Sequence, residues 1–364
     1  MKTSSTWRRL DLPLFSTALS LAFAGVVLVY SASHHSTGLS HLVWKQLLWL
    51  TLGLLAMSFF YVVDYQSMIH SSYFFYWMEL ILLGTLVLFG RQSAGGSARW
   101  FNLGLFYVQP SELAKLVLIL TLTRYVSENN REIRTFWGLL QPLGMTGLMM
   151  FLILKQPDLG TALVLFPISF VILLVAGARL WHLATLVLVG AASTPVLWHF
   201  LKDYQRRRWM SFIAPENDAL GAGYNAIQSR IAIGSGGFFG KGFLQGTQSQ
   251  LNFVPMHHTD FVFSVLAEEW GWLGCFVVLG LYLTLLLQVV KISVNSKDLR
   301  GTLLGAGVVA MLTTQVVFNV GMTTGALPVT GITLPLLSYG GSSVVTIMIC
   351  LGILLNIRKE SSGF

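Results

Sequence analysis

Apolar residues in this 364-residue chain gather into long runs separated by short polar breaks. Such runs mark membrane-crossing helices, whereas a surface helix repeats its apolar positions every three to four residues and a half-buried strand alternates them. Windows long enough to cross a bilayer, allowing for tilt, fall at 12–31, 44–62, 73–90, 110–126, 137–154, 160–178, 181–200, 261–290, 301–322 and 342–357. The pattern predicts an all-α polytopic membrane protein, one domain over 1–364, with ten transmembrane helices. Between the seventh and eighth windows it leaves one large loop, residues 202–260. The stretches GAGYNAIQ and IGSGGFFGKG in that loop predict tight turns and short helices folded back over the bundle.

Charge orients the bundle. With the N-terminus in the cytoplasm, Arg124, Arg131, Arg134, Arg179, Lys291, Lys297, Arg300, Arg358 and Lys359 fall inside with Lys2, Arg8 and Arg9. The short outer loops then hold only Lys45, Arg91, Arg99 and Lys155, so the positive-inside rule predicts both termini in the cytoplasm. The large loop departs from the rule with Arg206, Arg207, Arg208, Arg230 and Lys241 outside. Long loops translocate largely regardless of charge, so the topology stands, but the loop's basicity asks for an anionic partner. Lys2, Arg8 and Arg9 precede an apolar run from Leu12 to Tyr30, which resembles a secretory signal but exceeds its ~7–15-residue apolar core. It reads as an uncleaved first span.

Composition narrows the class. Only 10% of residues are charged, against roughly a quarter in soluble domains, and the net charge of +8 is spread over many loops rather than gathered on a nucleic-acid-binding face. Cys275 and Cys350 lie in apolar runs, which leaves neither a disulfide framework nor a cysteine-based zinc site.

Five polar clusters interrupt the apolar pattern. In GSGGFFGKG the glycines stand at the wrong spacing for a phosphate-binding loop and Lys241 is followed by Gly242 rather than Ser or Thr, so turn structure is the better reading. QPSELAK opens a span with Pro110 and sets Glu112 and Lys115 one turn apart, as a structural clamp or a ligand contact. KQPDLGTALV puts Asp158 before another span. In GALPVTGITLPLLSYGGSS, Ser342 and Ser343 sit where a helix start offers free N–H groups to a phosphate, or merely caps and close packing. The last cluster, HHTDFVFSVLAEEWG, places Asp260 where it or Thr259 caps the following helix. Glu268 lies about 12 Å farther along by helical rise, wide for the ~5–9.5 Å carboxyl pair of a glycoside hydrolase. His257, His258 and Asp260 are weighed as metal ligands and set aside, since adjacent loop histidines seldom act together. A lone carboxylate under a basic loop, beside grooves between apolar helices, suits an anionic, lipid-borne substrate.

As a set, GSARWFNLG, QPSELAK, QPDLGTALV, RRRWMSFIAPENDALGAGYNAIQSRIAIGSGG, HTDFVFSVLAEEWG and NVGMTTGALPVTGITLPLLSYGGSS resemble the SEDS family (shape, elongation, division and sporulation) of peptidoglycan glycosyltransferases. They run from the third span to the last, and NVGMTTGALPVTG is similar to the elongation branch. Pro255, Met256, His257 and His258 depart from the family pattern just before Thr259 and Asp260. The resemblance implies a bacterial inner-membrane enzyme that polymerises lipid II through β-1,4 links, with undecaprenyl pyrophosphate as leaving group and the active site outside. It implies Asp260 as general base and Arg206, Arg207, Arg208 and Lys241 as pyrophosphate ligands, and it matches Glu112 and Lys115 to a position tied to activity. It implies a class B penicillin-binding protein as partner, alongside membrane lipids, and allows a divalent cation, magnesium or manganese, as an assistant. The competing class is a lipid II flippase, which predicts inverted repeats, broken helices and mid-membrane charge.

Overall fold

The computed structural model describes residues 11–34, 41–89, 99–102, 104, 107–200, 203–218, 221–251 and 253–361. The elements in chain order are α1 (Leu12–Ser33), α2 (His41–Val62), α3 (Tyr65–His70), α4 (Ser72–Phe89), β1 (Phe101–Asn102), β2 (Tyr107–Val108), α5 (Pro110–Glu128), α6 (Leu140–Lys155), α7 (Leu159–Val175) and α8 (Leu180–Phe200). They continue with α9 (Asp203–Ile213), α10 (Ala222–Ser235), α11 (Thr247–Gln250), α12 (Val262–Val294), α13 (Leu299–Thr324) and α14 (Gly341–Ser361). Each of the apolar windows coincides with a helix. Among the described residues, seven helices are long and apolar enough to cross a membrane, and α7 and the first part of α8 are shorter apolar helices. Four charged residues, Glu112, Lys115, Arg124 and Glu128, set α5 apart. The chain is a multi-pass membrane protein.

Its interior is built from the end of the sequence. In α14 89% of the apolar window is buried and in α13 72%, against 22% in α2 and 28% in α12. α14 and α13 therefore form the centre, with α2 and α5 against α14 and with α5, α7 and α12 against α13. Outward faces carry large apolar side chains, among them Trp44, Phe74, Leu88 and Leu287, which suits a lipid environment.

One end of the bundle gathers chain ends. Asp11 caps α1 through the Leu14 N–H at 3.3 Å, and its carboxylate meets the Arg358 guanidinium near the end of α14 at 3.4 Å. Arg300, at the start of α13, donates to Ser127 near the end of α5 at 3.2 Å. At the opposite end α5, α7, α12 and α14 begin and α13 finishes.

The glycine-rich turn has a definite task. α12 breaks at Gly271, whose φ of 63° and ψ of −162° leave the helix and free peptide groups on both sides. The turn fills the gap. The N–H groups of Trp272 and Leu273 donate to the carbonyls of Gly237 and Phe238 at 3.0 and 3.1 Å, while Lys241 and Gly242 donate to the carbonyls of Glu268 and Glu269 at 3.0 Å each. In an apolar bundle, backbone groups freed by a break need such partners. Gly240, at φ +81°, has no space for a side chain: a methyl there would lie 2.2 Å from the Glu269 carbonyl oxygen. Gly240→Ala is expected to lower stability by ~2 kcal/mol or more through strain and overpacking, read as a lower melting temperature of detergent-purified protein.

Candidate active site

Three helix N-termini converge on one cavity. Pro110, fixed in φ and lacking an N–H, opens α5. Asp158 caps α7, its carboxylate accepting from the Thr161 N–H at 3.2 Å and the Thr161 hydroxyl at 2.8 Å, and across the gap from Gln109 Nε2 at 2.9 Å and the Ser111 hydroxyl at 3.1 Å. The Gln109 N–H donates to Ser342 Oγ at 3.0 Å, joining the start of α5 to that of α14. Between these starts, the end of α13 and the segment 330–343 lies a cavity of about 560 Å³.

Asp260 enters it from a tight turn. The Met256 carbonyl accepts from the N–H groups of Thr259, Asp260 and Phe261 at 3.1, 3.1 and 3.3 Å. Asn319 of α13 holds that turn to the facing loop, its Nδ2 donating to the carbonyls of Asp260 at 2.9 Å and Ile332 at 2.7 Å. Gly331, at φ +76°, stands where a methyl group would lie 3.3 Å from Asp260 Oδ2, so it leaves the carboxylate its space. Neither Thr259 nor Asp260 caps α12. The helix begins at Val262 without a side-chain cap, which corrects the expectation from sequence and leaves the Asp260 carboxylate to the cavity.

The electrostatics are mixed by design of the fold. Lys45, Arg99, Lys115 and Arg208 face Glu112, Asp158 and Asp260 around the cavity, and the three helix starts add positive partial charge. Desolvation raises the Asp260 carboxyl above its usual range, opposed by the Thr259 hydrogen bond and by the charges of Arg208 and Arg99, and reinforced by Asp158. Glu112 and Lys115 form an ion pair at 2.7 Å with Lys115 buried.

Of the residues singled out from sequence, the fold therefore assembles Asp260, Glu112, Lys115, Arg208, Ser342 and Ser343 at this cavity. It places Arg206 and Lys241 elsewhere. Arg206 donates to the carbonyls of Trp198 at 3.1 Å and His199 at 2.8 Å, closing the end of α8. The side chain of Arg207 lies outside the described residues. Lys241 pairs with Glu268 at 2.7 Å beside the α12 break, and Glu268 also takes the Gln248 and Ser249 N–H groups. His257 meets the carbonyls of Val254 and Ala32 with its two ring nitrogens at 2.8 and 2.7 Å, tying the segment to the end of α1. Burial and the neighbouring His257 push His258 down to about 4, and His258 does not line the cavity.

Residues not picked out as site residues complete the wall. Arg99 donates to the carbonyls of Gln156, at 3.1 Å, and Pro157, next to the α7 cap. Lys45 comes from α2, Gln315 from α13 and Tyr339 from the segment before α14. Arg99 and Asp158 each sat inside a quoted motif, which was the signal available; Gln315 stood in an apolar run with none.

A family model described as a cell cycle protein, FTSW_RODA_SPOVE, matches residues 12–363. The chain belongs to this family, the SEDS family. It is 37% identical over 356 residues to the peptidoglycan glycosyltransferase MrdB of Escherichia coli K12, covering 96% of this chain and 94% of that one. Among solved structures it is similar, with a TM-score of 0.86 and 33% identity over 98% of this chain and all of the other, to a chain from a study of polymerization and crosslinking by a peptidoglycan synthase complex. The crystal structure of the rod shape determining protein RodA of Thermus thermophilus matches with a TM-score of 0.74 and 32% identity, over 98% of this chain and 99% of that one.

The structural assignment of Lys241 has a direct check. Lys241→Met leaves the buried Glu268 without its cation and is expected to cost about 1–3 kcal/mol of stability while ligand affinity of the folded fraction holds. Lost affinity at an unchanged melting temperature would return Lys241 to the binding site.

Proposed function

We propose that this chain is a peptidoglycan glycosyltransferase that polymerises lipid II into β-1,4-linked glycan during cell elongation. The observation that carries this reading is the Asp260 carboxylate, its backbone pinned by Asn319, in a cavity that it shares with Glu112 and Asp158 and that is ringed by Lys45, Arg99, Lys115 and Arg208 and by three helix starts. The 4-hydroxyl of the acceptor's N-acetylglucosamine attacks C1 of the donor's N-acetylmuramic acid. Asp260 accepts the hydroxyl proton as the new C–O bond forms, and the bond from C1 to the pyrophosphate oxygen breaks. Pyrophosphate leaves without an acid, its charge held by the four cations and the helix N-termini, so one base suffices. The raised carboxyl of Asp260 improves it as a base.

The donor set does not suit a divalent cation held by protein ligands. Asp158 is saturated by hydrogen bonds and Glu112 holds Lys115, and among the described residues no group of three His, Cys, Asp or Glu side chains converges on one point.

The orientation follows from the same frame. The cavity and the loop 202–260 lie outside, and the end carrying Arg124, Arg300 and Arg358 lies in the cytoplasm of the inner membrane, with both termini. The positive-inside rule supports this placement. The partner is a class B penicillin-binding protein, whose single anchor packs on outward apolar faces of the late spans. The α12 break is a feature a flippase would share, but the turn 237–242 gives the peptide groups it frees their partners.

Asp260→Asn is expected to cut polymerisation of purified lipid II by ~10²–10⁴-fold while lipid II binding persists; a rate within a few-fold of wild type would remove Asp260 from the base role. The base works deprotonated, so kcat/KM should fall with decreasing pH through a pKa above the ordinary aspartate value. Because Arg208 lowers that pKa, Arg208→Gln should move the acid limb upward. Mild solubilisation of the membrane should recover a class B penicillin-binding protein with the chain, and its consistent absence would defeat the partner assignment.

A further inference from the structure

Several cations at the end of the bundle where α5 and α7 finish are claimed by the protein itself. Arg124 pairs with Glu128 and donates to the His70 carbonyl, Arg300 donates to Ser127 and Gln66, Arg358 meets Asp11, and Lys359 lies over the Tyr61 ring. Three arginines on two adjoining turns are not. Arg131, Arg134 and Arg179 are exposed, and among the described residues no protein group accepts a hydrogen bond from their side chains. Basic residues anywhere on one side satisfy the positive-inside rule, so their gathering on these turns asks for a further reason.

Ring packing brings the two turns together. Arg131 and Arg134 belong to the connection from α5 to α6, around the short turn Glu132–Arg134, and Arg179 to the connection from α7 to α8. The Phe136 ring, two residues after Arg134, meets the His182 ring, three residues after Arg179, edge to face at 5.9 Å between centroids. Each turn also carries a large exposed aromatic: Trp137 is 77% exposed and Trp181 79%. Trp137 opens the apolar stretch Trp137–Lys155 and Trp181 stands in the first turn of α8. Indole rings where spans enter a bilayer sit at headgroup level, and guanidinium groups beside them meet headgroups rather than acyl chains.

Charge narrows the occupant. Glu132 is the exposed carboxylate on these turns, while Glu128 nearby is engaged by Arg124, so three guanidinium groups face one free carboxylate. A guanidinium holds a phosphate through two parallel N–H bonds. A zwitterionic headgroup brings its own ammonium to that phosphate, whereas an anionic phospholipid leaves its phosphate charge to the arginines.

We propose that the turns 131–137 and 179–182 form a binding site for the phosphate headgroup of an anionic phospholipid, with Trp137 and Trp181 seated at the membrane boundary. The site lies at the opposite end of the bundle from the Asp260 cavity, so its occupancy is read without the reaction.

The test titrates phosphatidylglycerol, with phosphatidylcholine as the zwitterionic control, into the full-length protein in a neutral detergent and follows the melting temperature. Phosphatidylglycerol should raise that of wild type saturably, and phosphatidylcholine should not. At about 5-fold per arginine, exchanging Arg131, Arg134 and Arg179 together for glutamine should weaken the phosphatidylglycerol midpoint by about 100-fold. Lys291, exposed near the end of α12 rather than on these turns, supplies the control for general basicity: Lys291→Gln should shift the midpoint by less than about twofold. The melting temperature without lipid should hold, because the three side chains donate to no protein group, and the single exchanges keep the test available if the triple variant does not fold. No saturable effect of phosphatidylglycerol on wild type, a triple variant that responds like wild type, or a Lys291→Gln effect equal to that of each arginine overturns the proposal. So does an acidic soluble protein that co-purifies with wild type and not with the triple variant while the lipid response is unchanged, since the turns would then serve a protein.

Discussion

Backbone polar groups cannot go unpartnered inside an apolar bundle, and the position of nearly every functional group here follows from how that demand is met. At Gly271, α12 surrenders its own hydrogen bonds and the turn 237–242 restores them from outside. At the end of α1, Gln250 donates to the Ser31 carbonyl at 3.0 Å and His257 engages that of Ala32. These contacts convert the long segment between α8 and α12 from a tether into a packed element. Asp260 follows His257 by three residues, so the ties that satisfy α1 also deliver the carboxylate to its cavity.

The same demand explains why charge is tolerated at that end of the bundle. Asp158 is hydrogen-bonded by Gln109 and Ser111 at the start of α5 and by Thr161 of its own helix, and Lys115 is paired with Glu112, so these charged groups are structural parts of the wall as well as its lining. Asp260 differs. Its backbone is pinned by Asn319 and its carboxylate is held beside a glycine, with Arg208 and Arg99 close enough to moderate its desolvation. Stability and the proposed reactivity are thus divided between neighbouring residues: the hydrogen-bonded Asp158 holds helix starts together, and Asp260 faces the cavity.

How far a residue's role could be read before folding depended on whether its partner was close in sequence. Glu112 and Lys115 pair within one turn, and Asp158 caps the helix it precedes, so local spacing was informative. The arginines 206–208 read as one basic patch. On the helix α9, residues two apart are rotated by about 200°, and Arg206 and Arg208 part company: Arg206 closes α8 while Arg208 reaches the cavity. Lys241 sat in a basic loop, and only folding showed the Glu268 carboxylate that claims it.

The sequence by itself determined the membrane environment, the helices and their windows and the motifs of the family, because hydropathy is set by consecutive residues along a single helix. Tertiary structure alone decided which helix starts share a cavity, which basic residues face it, and that the glycine-rich turn repairs a broken helix. Those outcomes depend on contacts between residues 19 to 233 positions apart, such as Glu268 to Ser249, Asn319 to Asp260 and Gln109 to Ser342. No local pattern encodes which of several polar groups will find a partner across such distances, and that pairing is what separates a structural charge from a reactive one.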